Sequence, residues 1–456
     1  MRLLFMSLKL YPENDISNMA SSLRNRLSVN STYTIKDMAE ALQKITGKYF
    51  VKNYLEGNLY EYSNSDSTIK LRNYAFAGEP IREISLSVST LGGSYVFDGA
   101  VNLSIANFPN LTWVPIGTFL NCINLKSINI PLVTQISYYA FSGCSSLSEI
   151  NLPLCSKLYS NAFCNCINLE SVYLPSCQVL SSNAFRHCAK LSSIDLPNCT
   201  SIYENTFYDC TSLNYANLPK FSNNTSLYQI FCKCSNLKSV SIPEATSIGS
   251  YMFSGCSNLS YISASKCTTI DTGAFAYCTN LSWASFPICT FISNNAFGNN
   301  SNLTSIFCPE VITLSANAFY TCRILPSISL SKCTTIGSSA FAYCYSLSSI
   351  VLPLCIEIGS QAFTSCSSLS IVDLPIFSSI FYSSTFWGCI NLFNLYLRGS
   401  SVITLSNKNV FTNTPISTYI SPGSSSGTVH VPASLLTAYQ NATNWTIFSS
   451  RIVGDL

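Results

Sequence analysis

The chain carries one phenylalanine at a fixed interval. It stands at Phe119, Phe141, Phe163, Phe185 and Phe207, steps 24 residues to Phe231, then continues at 22-residue intervals through Phe253, Phe275, Phe297, Phe319, Phe341 and Phe363, with Phe386 and Phe411 after slightly longer steps. A fixed period of this length is the mark of a solenoid, in which each repeat is one coil and no repeat has a core of its own. Counting from each phenylalanine, offset six is leucine in every repeat from Leu125 to Leu392. Offsets nine and eleven are apolar, as in Ile128 with Ile130, Ile150 with Leu152 and Val172 with Leu174. That two-residue spacing places both side chains on one face of a strand. Proline follows at Pro131, Pro153, Pro175, Pro197 and Pro219, where its missing N–H ends the strand. Offset seventeen brings a second aliphatic wall (Ile136, Leu158, Leu180, Ile202, Ile248, Ile270).

One turn buries about six apolar side chains, a gain smaller than the conformational entropy lost in ordering its backbone. Stability therefore comes from stacking turn on turn, which also pairs each strand with its neighbours in a parallel sheet. The pattern Leu-x-x-Ile-x-Leu-Pro, then an aliphatic, then Ala-Phe-x-x-Cys-x-x-Leu, resembles the BspA-type (treponemal-type) leucine-rich repeat of bacterial surface proteins. It runs through roughly residues 73–420, with Asn300 in place of cysteine and Ser265, Ser331 and Arg398 in place of proline. The resemblance implies a right-handed solenoid used for adhesion and binding, with no catalysis of its own. The predicted fold is an α+β repeat solenoid: a curved leucine-rich repeat of about fifteen turns, with the parallel β-sheet on the concave face and a cap at each end.

Composition narrows the function. Charged residues make up 10% of the chain and the net charge is +3; residues 1–72 hold 10 of the 24 Lys+Arg and 7 of the 21 Asp+Glu, so the repeats are neutral. Nucleic-acid binding needs clustered cations and is disfavoured. No continuous apolar stretch is long enough to cross a membrane, and Met1–Tyr11 makes a poor signal peptide because Lys9 and Pro12 interrupt it. Virion association or the cell surface is the expected location, with the cytoplasm as the alternative.

Twelve of the 22 cysteines occupy offset three (from Cys122 to Cys389) and seven occupy offset fourteen (Cys155, Cys177, Cys199, Cys267, Cys289, Cys333, Cys355). Val133, Phe221, Ala245, Val311 and Phe377 replace the second set, so buried thiols serving as small apolar side chains are expected. Stacked disulfides, or metal at Cys164-Asn-Cys166 and Cys232-Lys-Cys234, are the alternative. Two histidines, His187 and His430, lie far apart, and no nucleophile elbow, phosphate loop or His-rich metal cluster is visible. No enzyme, no cofactor and no metal site are expected.

Residues 1–47 predict a helical hairpin or cap, with helices around Ile16–Leu27 and Ile35–Ile45. Thr32-Tyr33-Thr34-Ile-Lys-Asp37-Met38-Ala39-Glu-Ala41-Leu42 resembles the hairpin at the start of phage virion and tail-associated proteins. Residues 48–72 form a connector or irregular strands, 73–420 the solenoid, and 421–456 a strand–helix cap around Pro432, Tyr439, Trp445 and Phe448. In the first turn Ile81, Ile84 and Leu86 sit one place early.

Between the buried columns, offsets eight and ten point outward from the concave sheet. They are mostly Ser and Asn but include Tyr173, Tyr215, Tyr261, Trp283, Phe307 and Tyr396, of which Tyr261, Trp283 and Phe307 fall on successive turns. Aromatic side chains among hydroxyls suit stacking on sugar rings or burial of a protein loop; the same residues also favour cross-strand packing alone. The expected function is recognition of a cell-surface protein or glycan, centred on Tyr215, Tyr261, Trp283 and Phe307, either as a phage or prophage tail-associated protein, as an exported adhesin, or as an intracellular scaffold.

Overall fold

A computed structural model describes residues 45–46, 60–63, 68–79, 81–86, 88–222, 227–417 and 426–456. They fall into two compact units, Met1–Leu218 and Pro219–Leu456. The coil has three sides. The first is a three-residue strand at offsets eight to ten, such as Glu149–Asn151, whose outer residues face solvent and whose middle residue, Ile150, is buried. The second is a two-residue strand, such as Lys157–Leu158, paired in parallel with Gln135–Ile136 before it and Val179–Leu180 after it. The third contains the phenylalanine and is built of consecutive tight turns.

On the third side, alternate N–H groups point in different directions. The N–H groups of Tyr139, Phe141 and Gly143 donate to Ser160, Ala162 and Cys164 of the next coil at 3.1, 2.8 and 2.8 Å, while those of Ala140, Ser142 and Cys144 close turns onto Ser137, Tyr139 and Phe141. This alternation requires left-handed backbone two residues before and two after the phenylalanine: Tyr139 has φ +56° and Gly143 +75°. An L-residue there is strained by about 1–2 kcal/mol, least for Asn, and Asn121, Asn161, Asn165, Asn183 and Asn205 fill such positions in the first unit. Glycine is needed for a further reason at Gly117 (φ +60°), where a Cβ would lie 2.3 Å from the Tyr95 ring.

These walls enclose a core of columns. In the first unit the rings of Phe76 to Phe207 stack with successive centroids 5.0–5.6 Å apart and planes within 13°. In the second, Phe231 to Phe411 do the same at 5.1–5.8 Å. The leucines at offset six are fully buried beside them.

The cysteine columns are not equivalent, which corrects the expectation that both are simple apolar filler. At offset three the thiols donate back to the phenylalanine carbonyl of the preceding coil, as Cys144 Sγ does to Phe119 (3.1 Å) and Cys278 Sγ to Phe253 (3.1 Å). At offset fourteen the thiol bends to a carbonyl two residues ahead in its own coil, as in Cys289 Sγ to Phe291 (3.4 Å). At Asn300, which replaces cysteine at offset three, the side chain is also a donor: Nδ2 reaches Phe275 O at 2.9 Å and Phe297 O at 2.8 Å. Burial pushes the thiols of Cys344 and Cys389 up to about 12, so at neutral pH they keep the proton that makes the bond.

In the first unit Ile45–Thr46 forms a strand antiparallel to Glu83–Ser85, where a helix was expected to end; the remainder of the expected hairpin, including residues 32–42, lies outside the described residues. Tyr60–Ser63 and Thr68–Leu71 pair as an antiparallel hairpin, and Ile84 aligns with Ala106, the early register expected from the sequence. In the second unit the first side is interrupted. Tyr261–Ser263, Trp283–Ser285 and Ser305–Phe307 form one sheet, Ser349–Val351 begins another, and residues 327–329 between them form no strand. Pro326 stands immediately before this segment. Its position elsewhere carries an N–H that donates to the coil before, as Thr304 N does to Ser282 O and Ser370 N to Ser348 O, and proline has none.

At the C-terminal end Thr428–Val431 and Ile452–Gly454 extend the sheet in parallel. Between them Trp445 packs on Phe411 and donates from its indole N–H to Ile403 O at 2.6 Å, and Phe448 meets Phe411 edge-on at 5.4 Å. The α+β label is corrected as well: among the described residues the only α-helix is Leu436–Asn441, so the fold is a parallel-sheet β-solenoid of about sixteen turns of some 22 residues. The third side, spaced like a helix in sequence, contains a left-handed residue every four and cannot sustain helical bonding.

Three expectations follow. Cys278→Val should lower stability by about 1 kcal/mol more than Cys289→Val, because only the first removes a hydrogen bond between coils; equal melting shifts by circular dichroism would reject the distinction. Asn300→Cys should raise the melting temperature, since the Asn300 Oδ1 is buried without a partner and the thiol carries no such burden. Pro326→Ser should increase amide hydrogen-exchange protection across residues 327–329; unchanged exchange would remove proline as the cause of the break.

Candidate recognition surface

The outward residues of the first side flank a middle residue that is buried in most strands, such as Ile262 and Ala284, and half-buried at Val172. In the first unit Tyr173 is the last residue of Ser171–Tyr173, opposite Asn151, and Tyr215 the first of Tyr215–Asn217, opposite Ser193. Both rings are exposed. Around them the polar side chains form ladders: Asn129 Nδ2 donates to Asn107 Oδ1 at 2.8 Å and Asn217 Nδ2 to Asp195 Oδ1 at 2.9 Å.

In the second unit Tyr261 and Trp283 are direct partners across Tyr261–Ser263 and Trp283–Ser285. Phe307 lies on the next strand but two residues further along, opposite Ser285. The three rings are 50%, 42% and 52% exposed, with Ser263, Ser285 and Ser305 beside them. The group is thus a pair and a diagonal neighbour on one three-stranded sheet. Beyond the break, two further apolar residues face outward, Val351 and Ile371. They occupy offsets ten and eight and could have been found from the repeat alone.

Tyr396 stands apart from that group. It is half-buried, stacked on His430 with centroids 4.4 Å apart, and the Arg398 guanidinium lies 5.1 Å from its ring. Arg398 Nε donates to Asp373 Oδ1 at 3.0 Å, His430 Nδ1 meets the Asp455 carboxylate at 2.9 Å, and His430 Nε2 faces Asn394 Oδ1 at 3.1 Å. These contacts use the side chains to tie the last strands together. His430 reaches this position only because the chain after Gly427 returns as another strand, which the period does not announce.

His187 lies on the third side, its Nδ1 3.0 Å from Asp209 and its Nε2 accepting from Arg186 Nε at 3.2 Å. Among the described residues no three His, Cys, Asp or Glu side chains gather in a way that could hold a metal ion, and no helix is long and apolar enough to cross a membrane.

A crystal structure of a leucine-rich repeat protein from Bacteroides ovatus superposes over 76% of this chain and 97% of its own, at 24% identity and a TM-score of 0.55. A leucine rich cell surface protein from Faecalibacterium prausnitzii matches over 78% of this chain and 89% of its own, at 21% identity and a TM-score of 0.38. No curated protein sequence matches the chain. The sequence profile of the BspA type leucine rich repeat region matches residues 43–166, 112–229, 156–282, 228–326 and 312–428. Spanning most of the sequence and coinciding with the stacked coils, these matches show that the chain belongs to the BspA-type leucine-rich repeat family.

Proposed function

We propose that this chain is a non-enzymatic recognition protein that binds a cell-surface glycan or protein through the outward face of its three-residue strands. The fold is typical of surface and protein-interaction proteins. The observation that carries the reading is the register of Tyr261 with Trp283, with Phe307 on the adjoining strand, all three rings exposed on a backbone whose alternate residues are locked in the core. Rings already held by a sheet lose little freedom when a ligand covers them, and aromatic side chains dominate the energetics of contact surfaces. Serine hydroxyls beside them accept and donate hydrogen bonds without demanding a charged partner. A pyranose ring or an apolar protein loop framed by polar atoms fits such a face.

The two aromatic residues of the first unit, Tyr173 and Tyr215, are likewise exposed, opposite Asn151 and Ser193, and form a subsidiary surface within that unit. Tyr396 contributes by ordering the last strands. The segment from residue 426 onward shields the apolar end of the last coil with Trp445 and Phe448. Association with a phage virion, expected from residues 32–42 together with the poor signal peptide, forms no part of this reading.

The test is a glycan and cell-surface protein array probed with the full chain and with a Tyr261→Ala, Trp283→Ala double variant. Binding of the wild-type chain should fall about tenfold or more in the double variant, with an unchanged circular dichroism spectrum. Undiminished binding by the double variant would remove this face as the contact surface.

A further inference from the structure

On the second unit Arg323 is an exposed cation in a sparsely charged stretch of coils. Across the four coils from residue 293 to residue 368 there are four charged residues, Glu310, Arg323, Lys332 and Glu357. Lys332 and Glu310 pair with each other, and Glu357 lies on the second side of the coil, in Glu357–Ile358. Arg323 makes no ion pair among the described residues, although it is exposed at a corner leading into the first side. Its backbone is held firmly, since its carbonyl accepts the Ser346 N–H at 3.0 Å.

Its neighbours are aromatic. Tyr345 occupies the same offset one coil later and is exposed, and the guanidinium carbon of Arg323 lies 6.0 Å from the centre of its ring. Tyr343 meets Tyr345 edge-on at 6.3 Å, and Tyr320 meets Tyr343 edge-on at 5.5 Å. Ile324, beside Arg323, is exposed as well. A guanidinium lying over a tyrosine is oriented by that contact, yet its donor edge stays available for a planar, two-oxygen acceptor.

We infer that Arg323, Ile324 and Tyr345, supported by Tyr343, bind an acidic sugar residue, a uronic or sialic acid, whose carboxylate takes the Arg323 fork while its ring packs on Tyr345 and Ile324. One isolated cation matches one carboxylate, whereas a polyanion calls for several clustered cations. The remaining surroundings are hydroxyls and amides suited to sugar hydroxyls. Ser367 Oγ donates to Tyr345 O at 3.3 Å and so keeps lone pairs to accept with, and Asn302 continues an amide ladder from Asn280. A protein partner would need a dry apolar centre broader than the two exposed side chains here. This site is separate from the Tyr261–Trp283–Phe307 face, and neither depends on the other.

The experiment is isothermal titration of the full chain with 3′-sialyllactose, trigalacturonate, neutral lactose and a glutamate-rich peptide. At least one acidic saccharide should bind about tenfold or more tighter than lactose. Arg323→Met and Tyr345→Ala should each weaken that binding about tenfold, and Arg323→Lys should weaken it less, because an ammonium keeps the charge and loses the fork. The Tyr261→Ala, Trp283→Ala variant should bind the acidic saccharide as the wild type does. Equal affinity for lactose, no saturable binding of either acidic sugar, or binding unaffected by Arg323→Met would overturn the assignment. So would loss of acidic-sugar binding in the Tyr261→Ala, Trp283→Ala variant, or binding of the peptide alone with dependence on Arg323, which would make the occupant a protein loop. Melting curves of each variant establish that it is folded.

Discussion

Each coil depends on the next for the hydrogen bonds of its third side. Phe141 N–H finds Ala162 O and Gly143 N–H finds Cys164 O because the backbone alternates between right- and left-handed turns, aiming every second N–H along the axis. A buried N–H left unpaired costs more than a typical bond gains, so the alternation must be repeated in every coil without slippage. That requirement explains the strictness of the period. It also explains why the left-handed positions hold Asn or Gly so often. The thiol at offset three belongs to the same system: it supplies the phenylalanine carbonyl with a second donor, so that Phe141 O receives both Cys144 N–H and Cys166 Sγ–H. The variable lengths lie elsewhere, in the step around Phe221 to Ile230 and in the longer coils after Phe363.

The columns were legible in the sequence because burial and periodicity are the same fact seen twice. Phe119 to Phe386, their leucines and the strand pairs such as Ile150 with Leu152 could be placed without coordinates, and so could the outward direction of Tyr261, Trp283 and Phe307. What could not be read depended on which backbone atom a side chain meets. Cys278 and Cys289 look alike as letters, yet one joins two coils and the other bends back within its own. Asn300 was a hint, since a donor replaces a donor there while Val133 and Ala245 replace the other column. Pro326 was visible too, but its effect follows only once the N–H at that offset is known to bond across coils. The α+β expectation failed for a related reason, because Ala-Phe-x-x-Cys-x-x-Leu has helical spacing of apolar residues and the left-handed positions within it are not apparent from hydrophobicity.

The candidate surface was legible as a list and not as a geometry. Offsets eight and ten yield the six aromatic residues, but only the strand register separates the Tyr261–Trp283 pair from Phe307, and only the returning strand Thr428–Val431 brings His430 onto Tyr396. Stacking, an ion pair and a histidine bridge then give Tyr396 a structural task. The three sides of the coil accordingly differ in how free their side chains are. On the third side, side chains compete with backbone demands for space and handedness, whereas outward residues at offsets eight and ten meet no such demand and are free to vary from coil to coil.

That freedom and the scarcity of charge together determine how a ligand would be held. With a neutral array there is little long-range field to draw a charged partner in, so affinity must come from close contact with rings and hydroxyls and should change little with salt. Arg323 is a local exception, where one cation among exposed rings and hydroxyls concentrates its attraction on a single group. Trp283 and Tyr345 lie three coils apart, on the order of 14 Å along the stack at the spacing of β-strands. A sugar ring packed on Tyr345 is therefore clear of Trp283, which is why the two surfaces act independently of each other.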